Sequence, residues 1–162
     1  MRRSMFVLVV LAVSLAFAAA ASAMAPDQRT FQRQGTQAFD CGTFQDIFTF
    51  TTTVHVLTFY DSAGTPVKQV FHVHRVSTDT NSVTGKTLNS SADRIVTFDL
   101  ITGTVSIDGQ NDNTTYPGQG VVVQDVGKVI LNADGTVIFE GGQHPNQVGD
   151  SFTGADYCSA LS

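Results

Sequence analysis

The chain has 162 residues, one domain's worth, with 9 basic and 14 acidic side chains and a net charge of −5. A polyanionic phosphate backbone would be repelled, and no basic cluster offsets the charge, so nucleic acid is not expected as a partner. Thirteen of the acids are Asp and one, Glu140, is Glu; Asp suits turns and Glu suits helices, so the composition leans to β structure.

The first segment, MRRSMFVLVVLAVSLAFAAAASAMA, carries Arg2 and Arg3, then an apolar run, then Ala21-Ser22-Ala23. That is the three-part build of a secretory signal over residues 1–23. A membrane anchor is the competing reading, because the run is nearly long enough to span. Ala-rich ends and an A-x-A site favour cleavage, which gives a mature chain of about 139 residues in the extracellular space, off the membrane. Residues 24–40 are polar and read as a flexible arm before a single β domain over 41–162.

Within that domain, Asp46 to Tyr60 (DIFTFTTTVHVLTFY) alternates. Phe48, Phe50, Val54 and Val56 share one face, and Thr49, Thr51, Thr53 and His55 the other, as in a half-buried strand. DSAGTP turns the chain, and Val67 to Ser77 follows as a strand holding FHVHRV. A weaker strand is expected at VTGKTLN and another at RIVTFDL; Gly103 in ITG supplies the positive φ of a hairpin into TVSIDGQ. NDNTTYPGQG is rich in turn formers and reads as the longest loop. VVVQDVGKVILN is the next strand, with Gly127 marking a bend, and ADG leads into TVIFEGGQ. The tail PNQVGDSFTGADYCSALS follows. Short hairpin connections predict an all-β antiparallel meander of about seven or eight strands, the eighth near QAFDCGTF. Closing it into a barrel removes the edges; a two-sheet β-sandwich is the alternative.

Cys41 and Cys158 flank nearly the whole domain. After export they meet an oxidising compartment, so a disulfide between them is expected, with a free reactive thiol as the weaker alternative. Closing a loop this long is worth up to roughly 4–5 kcal/mol in the chain-entropy account.

His72 and His74 lie two apart on a strand, so they share a face, about 7 Å apart by rise. With His55 and His144 they could hold a divalent metal such as Zn, Fe, Mn or Cu. Against this, His55 shares its face with threonines opposite the phenylalanines, so surface imidazoles, or imidazoles in a polar lumen without metal, are the simpler expectation, with no cofactor. HVH followed by GGQH resembles the two-part histidine pattern of cupins, which implies a metal-dependent enzyme. The Glu expected after the first pair and the Asn expected after His144 are both missing. Asp108 and Asp112, in DGQNDN, gather the oxygen ligands calcium prefers, but lack the closing Glu of a calcium loop.

DCGTF, TNSVTGKTL, PGQGVVVQDVGKVIL, GGQHP and YCSAL together make the chain similar to small secreted actinobacterial proteins with a signal peptide and no assigned activity. The resemblance spans roughly residues 40 to 161 and implies a bacterial, exported, β-rich protein, without assigning any site residue. The function expected is non-enzymatic: a module that binds a small apolar ligand in a barrel lumen, or an extracellular structural or interaction module. A metal-dependent cupin-like enzyme is the alternative.

Overall fold

A computed structural model describes residues 24–118, 120–143 and 155–162. The expected signal segment and His144 lie outside the described residues. Seven strands form one antiparallel sheet in sequence order: β1 (Asp27–Asp40), β2 (Gln45–Tyr60), β3 (Pro66–Asn81), β4 (Thr87–Asp99), β5 (Val105–Tyr116), β6 (Gly120–Leu131) and β7 (Val137–Gln143). One short helix, α1 (Ala155–Leu161), follows.

The all-β antiparallel meander is as expected, but neither the barrel nor the sandwich is. The sheet is not closed: β1 and β7 are its two edges and do not pair with each other. A filled barrel needs about eight strands of matched length and stagger. Here there are seven, and β7 has 7 residues against 14 in β1. The eighth strand expected near QAFDCGTF is not separate; its first residues are the end of β1.

Three boundaries also differ. The arm expected at 24–40 is mostly β1, paired with β2 from Asp27–Thr58 to Asp40–Gln45. Where two strands were expected there is one, β4, which takes in TLN of VTGKTLN and RIVTFD of RIVTFDL, with a register shift between Ser91 and Asp93; Val83–Lys86 belong to the turn before it. The expected long loop is largely the second half of β5, whose register with β6 shifts between Gln110 and Asp112 and again between Thr114 and Thr115.

Alternation fixes two faces. The inner face carries Asp46, Phe48, Val54 and Val56 of β2; Phe71, Val73, Arg75, Ser77 and Asp79 of β3; and Leu88, Ser90, Arg94 and Phe98 of β4, read across the register. A crease crosses the sheet where Gly109, Gly127 and Gly142 face one another on β5, β6 and β7, all at positive φ. A Cβ at Gly109 would lie 2.6 Å from Asp93 O, and one at Gly142 2.4 Å from Val126 O. Only glycine lets the backbones come that close. The bend expected at Gly127 is therefore one part of a three-residue line.

The apolar core is small. Tyr157 and Leu161, one helical turn apart on α1, pack with Phe44 and Leu88. The expected disulfide, Cys41–Cys158, ties this helix to the segment between β1 and β2, with Cα atoms 5.4 Å apart. Asn81 adds a second fastening: its Nδ2 donates to Leu161 O, while its Oδ1 accepts from the Val83 and Thr84 amides of the β3–β4 turn. The 3.1 Å bond to Leu161 O satisfies a carbonyl the helix end leaves open.

Candidate functional site

His55, His72 and His74 are all exposed, on the outer face. His55 sits directly opposite His72 across the β2–β3 ladder. Thr30 Oγ1 lies 2.8 Å from His55 Nδ1, and His74 Nδ1 lies 2.7 Å from Asp93 Oδ1. Among the described residues no group of three His, Cys, Asp or Glu side chains is placed to hold a metal. Asp108 and Asp112 are not brought together either. Asp108 is exposed and meets Lys128 at 3.3 Å, whereas Asp112 is buried and meets Arg75 at 3.2 Å on the inner face. The bulge between them turns one out and the other in.

The chemistry lies instead on the inner face, at the end covered by α1. Asp46, Ser77, Asp79, Asn81, Ser90, Asn111, Asp112, Thr114 and Asp125 are all buried there. Burial of so many polar groups requires partners. Tyr157 Oη donates to Asp112 Oδ2 at 2.6 Å, and Thr114 Oγ1 donates to Asp112 Oδ1 at 2.8 Å. Arg75 Nη2 reaches the same Oδ2 at 3.2 Å, so Asp112 is fully engaged. Ser90 Oγ lies 2.8 Å from Thr114 Oγ1 and 3.3 Å from Asp79 Oδ2, which links the Asp112 group to a second carboxyl pair. Further along, Arg94 Nη1 donates to Asn111 Oδ1, and Asn111 Nδ2 donates to Asp125 Oδ1.

The second pair is Asp46 and Asp79, neighbouring carboxyls on the inner face that interact with each other. Burial raises both acids, and the neighbouring Asp46 charge adds to the shift of Asp79, which is pushed up to about 7. Two adjacent buried carboxyls hold one proton between them for the same reason as any like-charge pair. Burial, with Asp112 alongside, also drives the Tyr157 hydroxyl far above its ordinary value, so it remains a donor. Burial lowers the Arg94 guanidinium, and Arg75's like charge adds to that, with Asp112 and Asp125 opposing.

These groups line a cavity of about 650 Å³, walled by Gln37 and Phe39 of β1, Asp46 and Phe48 of β2, Arg75 and Asp79 of β3, and Tyr157. The disulfide forms part of the wall. Phe39 and Phe48 stand with ring centroids 6.3 Å apart, and the Arg75 guanidinium lies 5.7 Å from the Phe48 centroid. Asp46 is 4% exposed, yet its Oδ1 has no hydrogen-bond partner among the described residues. Arg75 Nε and Ser77 Oγ are likewise without one. Two of these residues, Asp46 and Arg75, line the cavity, where buried polar groups ordinarily find partners.

Of the candidate site residues singled out in the sequence, the two cysteines line this cavity and Asp112 belongs to the buried network beside it, holding Tyr157, Thr114 and Arg75 rather than a metal. Sequence reasoning placed Phe48 on the core face but gave no role to Asp46, Asp79, Arg75 or Tyr157. The signal available was parity: Asp46 and Phe48 share a face, as do Arg75, Ser77 and Asp79. Comparison with family models, curated proteins and solved structures finds no match to this chain. Among the described residues, no helix is long and apolar enough to cross a membrane.

Proposed function

We propose that this chain is an exported binding module that holds a small amphipathic ligand in the cavity between β1, β2, β3 and α1. The observation that carries this reading is the buried Asp46, which lines a 650 Å³ space and whose carboxyl has an oxygen, Oδ1, without a hydrogen-bond partner among the described residues. The aromatic wall of Phe39 and Phe48 takes an apolar body, and the Asp46–Asp79–Arg75 end takes a polar head. Cavities of this size hold ligands of drug-like dimensions, with few polar groups fixing orientation. The site therefore differs from the apolar lumen of a closed barrel: it is an open bowl with one polar end. The leader-like N-terminal segment and the disulfide support export, as does the resemblance to small secreted actinobacterial proteins.

The reading is tested on exported, oxidised protein by native mass spectrometry and by titration with the neutral apolar fluorophore N-phenyl-naphthylamine. A retained small molecule, or saturable one-to-one dye binding lost in Gln37→Trp, supports it. Gln37 is exposed at the cavity wall, so the indole fills the space without entering the core. Protein that carries no small molecule and shows no dye binding sensitive to Gln37→Trp overturns it, leaving an interaction module.

A further inference from the structure

We infer that the ligand is a small organic cation, a protonated amine on an apolar body, with Asp46 and Asp79 as its counter-ions and Phe39 and Phe48 as its wall. This rests on the cavity being a binding site.

The charge inventory favours it. Facing this end of the sheet are Asp46 from β2, Arg75 and Asp79 from β3, Arg94 from β4, Asp112 from β5, Asp125 from β6 and Tyr157 from α1, with Asp40 at the rim. Four buried carboxyls thus face two guanidiniums. Arg75 is taken by Asp112 at 3.2 Å, and Arg94 is joined through Asn111 to Asp125. Among the described residues no further cation faces Asp46 and Asp79, so burial and their mutual repulsion favour a proton on the pair. An anionic ligand would face this surplus of negative charge. A neutral hydroxyl could bond one of the two carboxyls but would not discharge the pair.

An ammonium brings a charge and three donors. Set against Asp46 and Asp79 at the cavity wall, it can take the place of the proton that offsets the charge of the pair. The walls decide between an organic and an inorganic cation. Hard metal ions want six to eight oxygens, whereas here the surroundings are two phenyl rings and a disulfide. Aromatic faces attract ammonium groups and bury alkyl or aryl bodies. The two acids bind the cation only when both are ionised, so binding expels their proton. The elevation of Asp79 to about 7 sets where that linkage is felt. Affinity for an amine rises as pH climbs toward that value and levels off above it.

The test is calorimetric titration of the oxidised protein with phenethylamine, phenethyl alcohol and phenylacetate, at about pH 5 and about pH 8, in buffers of different ionisation enthalpy. The amine binds at the higher pH with net proton release, and at least about tenfold more weakly at the lower pH. The alcohol binds at least about tenfold more weakly than the amine at the higher pH, and the acid more weakly still. Asp46→Asn lowers amine affinity at least about tenfold; the proton count on the unmutated protein gives the same answer should that variant fold poorly. Alcohol or acid binding as tightly as the amine, or amine affinity indifferent to pH, overturns the assignment while leaving the cavity as a site. Failure of all three probes together with absent dye binding removes both.

Discussion

Replacing Asp79 by Asn isolates the energetic cost of the buried acid pair. The amide has the shape of the protonated carboxyl. It keeps an acceptor for Ser90 Oγ and offers N–H donors to Asp46, so at low pH it is a close substitute. The sign follows from the direction of the shift. Asp79 moves from an ordinary 3.8 to about 7 in the folded chain, so the native state grips the proton more tightly than the unfolded chain does. Stability is then full below 3.8 and declines as pH rises through the window up to about 7. At about 1.4 kcal/mol per unit, the decline is on the order of 4 kcal/mol, an upper bound because the proton is shared with Asp46. Asp99 and Asp134 pull the other way. Turn amides lower both, chiefly from Thr102 for Asp99, and the Thr136 hydroxyl and amide do so for Asp134; their stabilisation is lost only as pH falls below 3.8. Urea unfolding between about pH 4.5 and about pH 8 therefore shows wild-type stability falling with pH. Asp79→Asn matches the wild type at the acid end and exceeds it by a few kcal/mol at the alkaline end, with a flatter profile. A wild-type profile that is flat or rising, or a variant with an unchanged slope, would refute the shared-proton argument.

Other perturbations follow from the same contacts. Changing Cys41 and Cys158 together to Ser opens a loop spanning a sequence separation of 117 residues, and scanning calorimetry should show a loss of up to about 4–5 kcal/mol. Tyr157→Phe removes the 2.6 Å donor to Asp112 and should cost about 1–3 kcal/mol in chemical denaturation, more than the same change at the half-buried Tyr60. Gly142→Ala drives a Cβ to 2.4 Å from Val126 O at positive φ and should lower the thermal midpoint, whereas Gly64→Ala, with open space around it, carries only the backbone penalty. His72→Ala and His74→Ala, both on the exposed face, should each change stability by less than about 0.5 kcal/mol in the same melts.

The strands were legible where one face is apolar. The Phe48, Phe50, Val54, Val56 alternation marks β2 almost to the residue, and its parity turns His55 to the exposed face. Turn chemistry was equally readable. Asp61 Oδ1 accepts from the Ala63 and Thr65 amides, as a DSAGTP turn should, and Gly103 has the positive φ its hairpin needs. The partner of Cys41 followed from there being two cysteines and an apparent export route.

What escaped has a common cause. β1 is an edge strand exposed on both sides, so its polar alternation resembles a loose arm. The Asn111–Thr114 stretch looks like a loop because Asn and Asp usually bond their own backbone. Here Asn111, Asp112 and Thr114 are buried and spend those groups on Asp125, Tyr157 and Ser90, side chains supplied by distant segments. Composition cannot reveal partners of that kind; they exist only once α1 is pinned over the sheet. The same reasoning applies to Asp46 and Asp79, adjacent in space and 33 positions apart in sequence.

The most direct measurement is a carbon-detected NMR titration of the Asp79 carboxyl, with and without saturating phenethylamine. A midpoint near 7 in the free protein, displaced downward by more than about one unit when the amine is bound, is the predicted result. A midpoint near the ordinary 3.8 in the free protein, or one that the amine leaves in place, would contradict it.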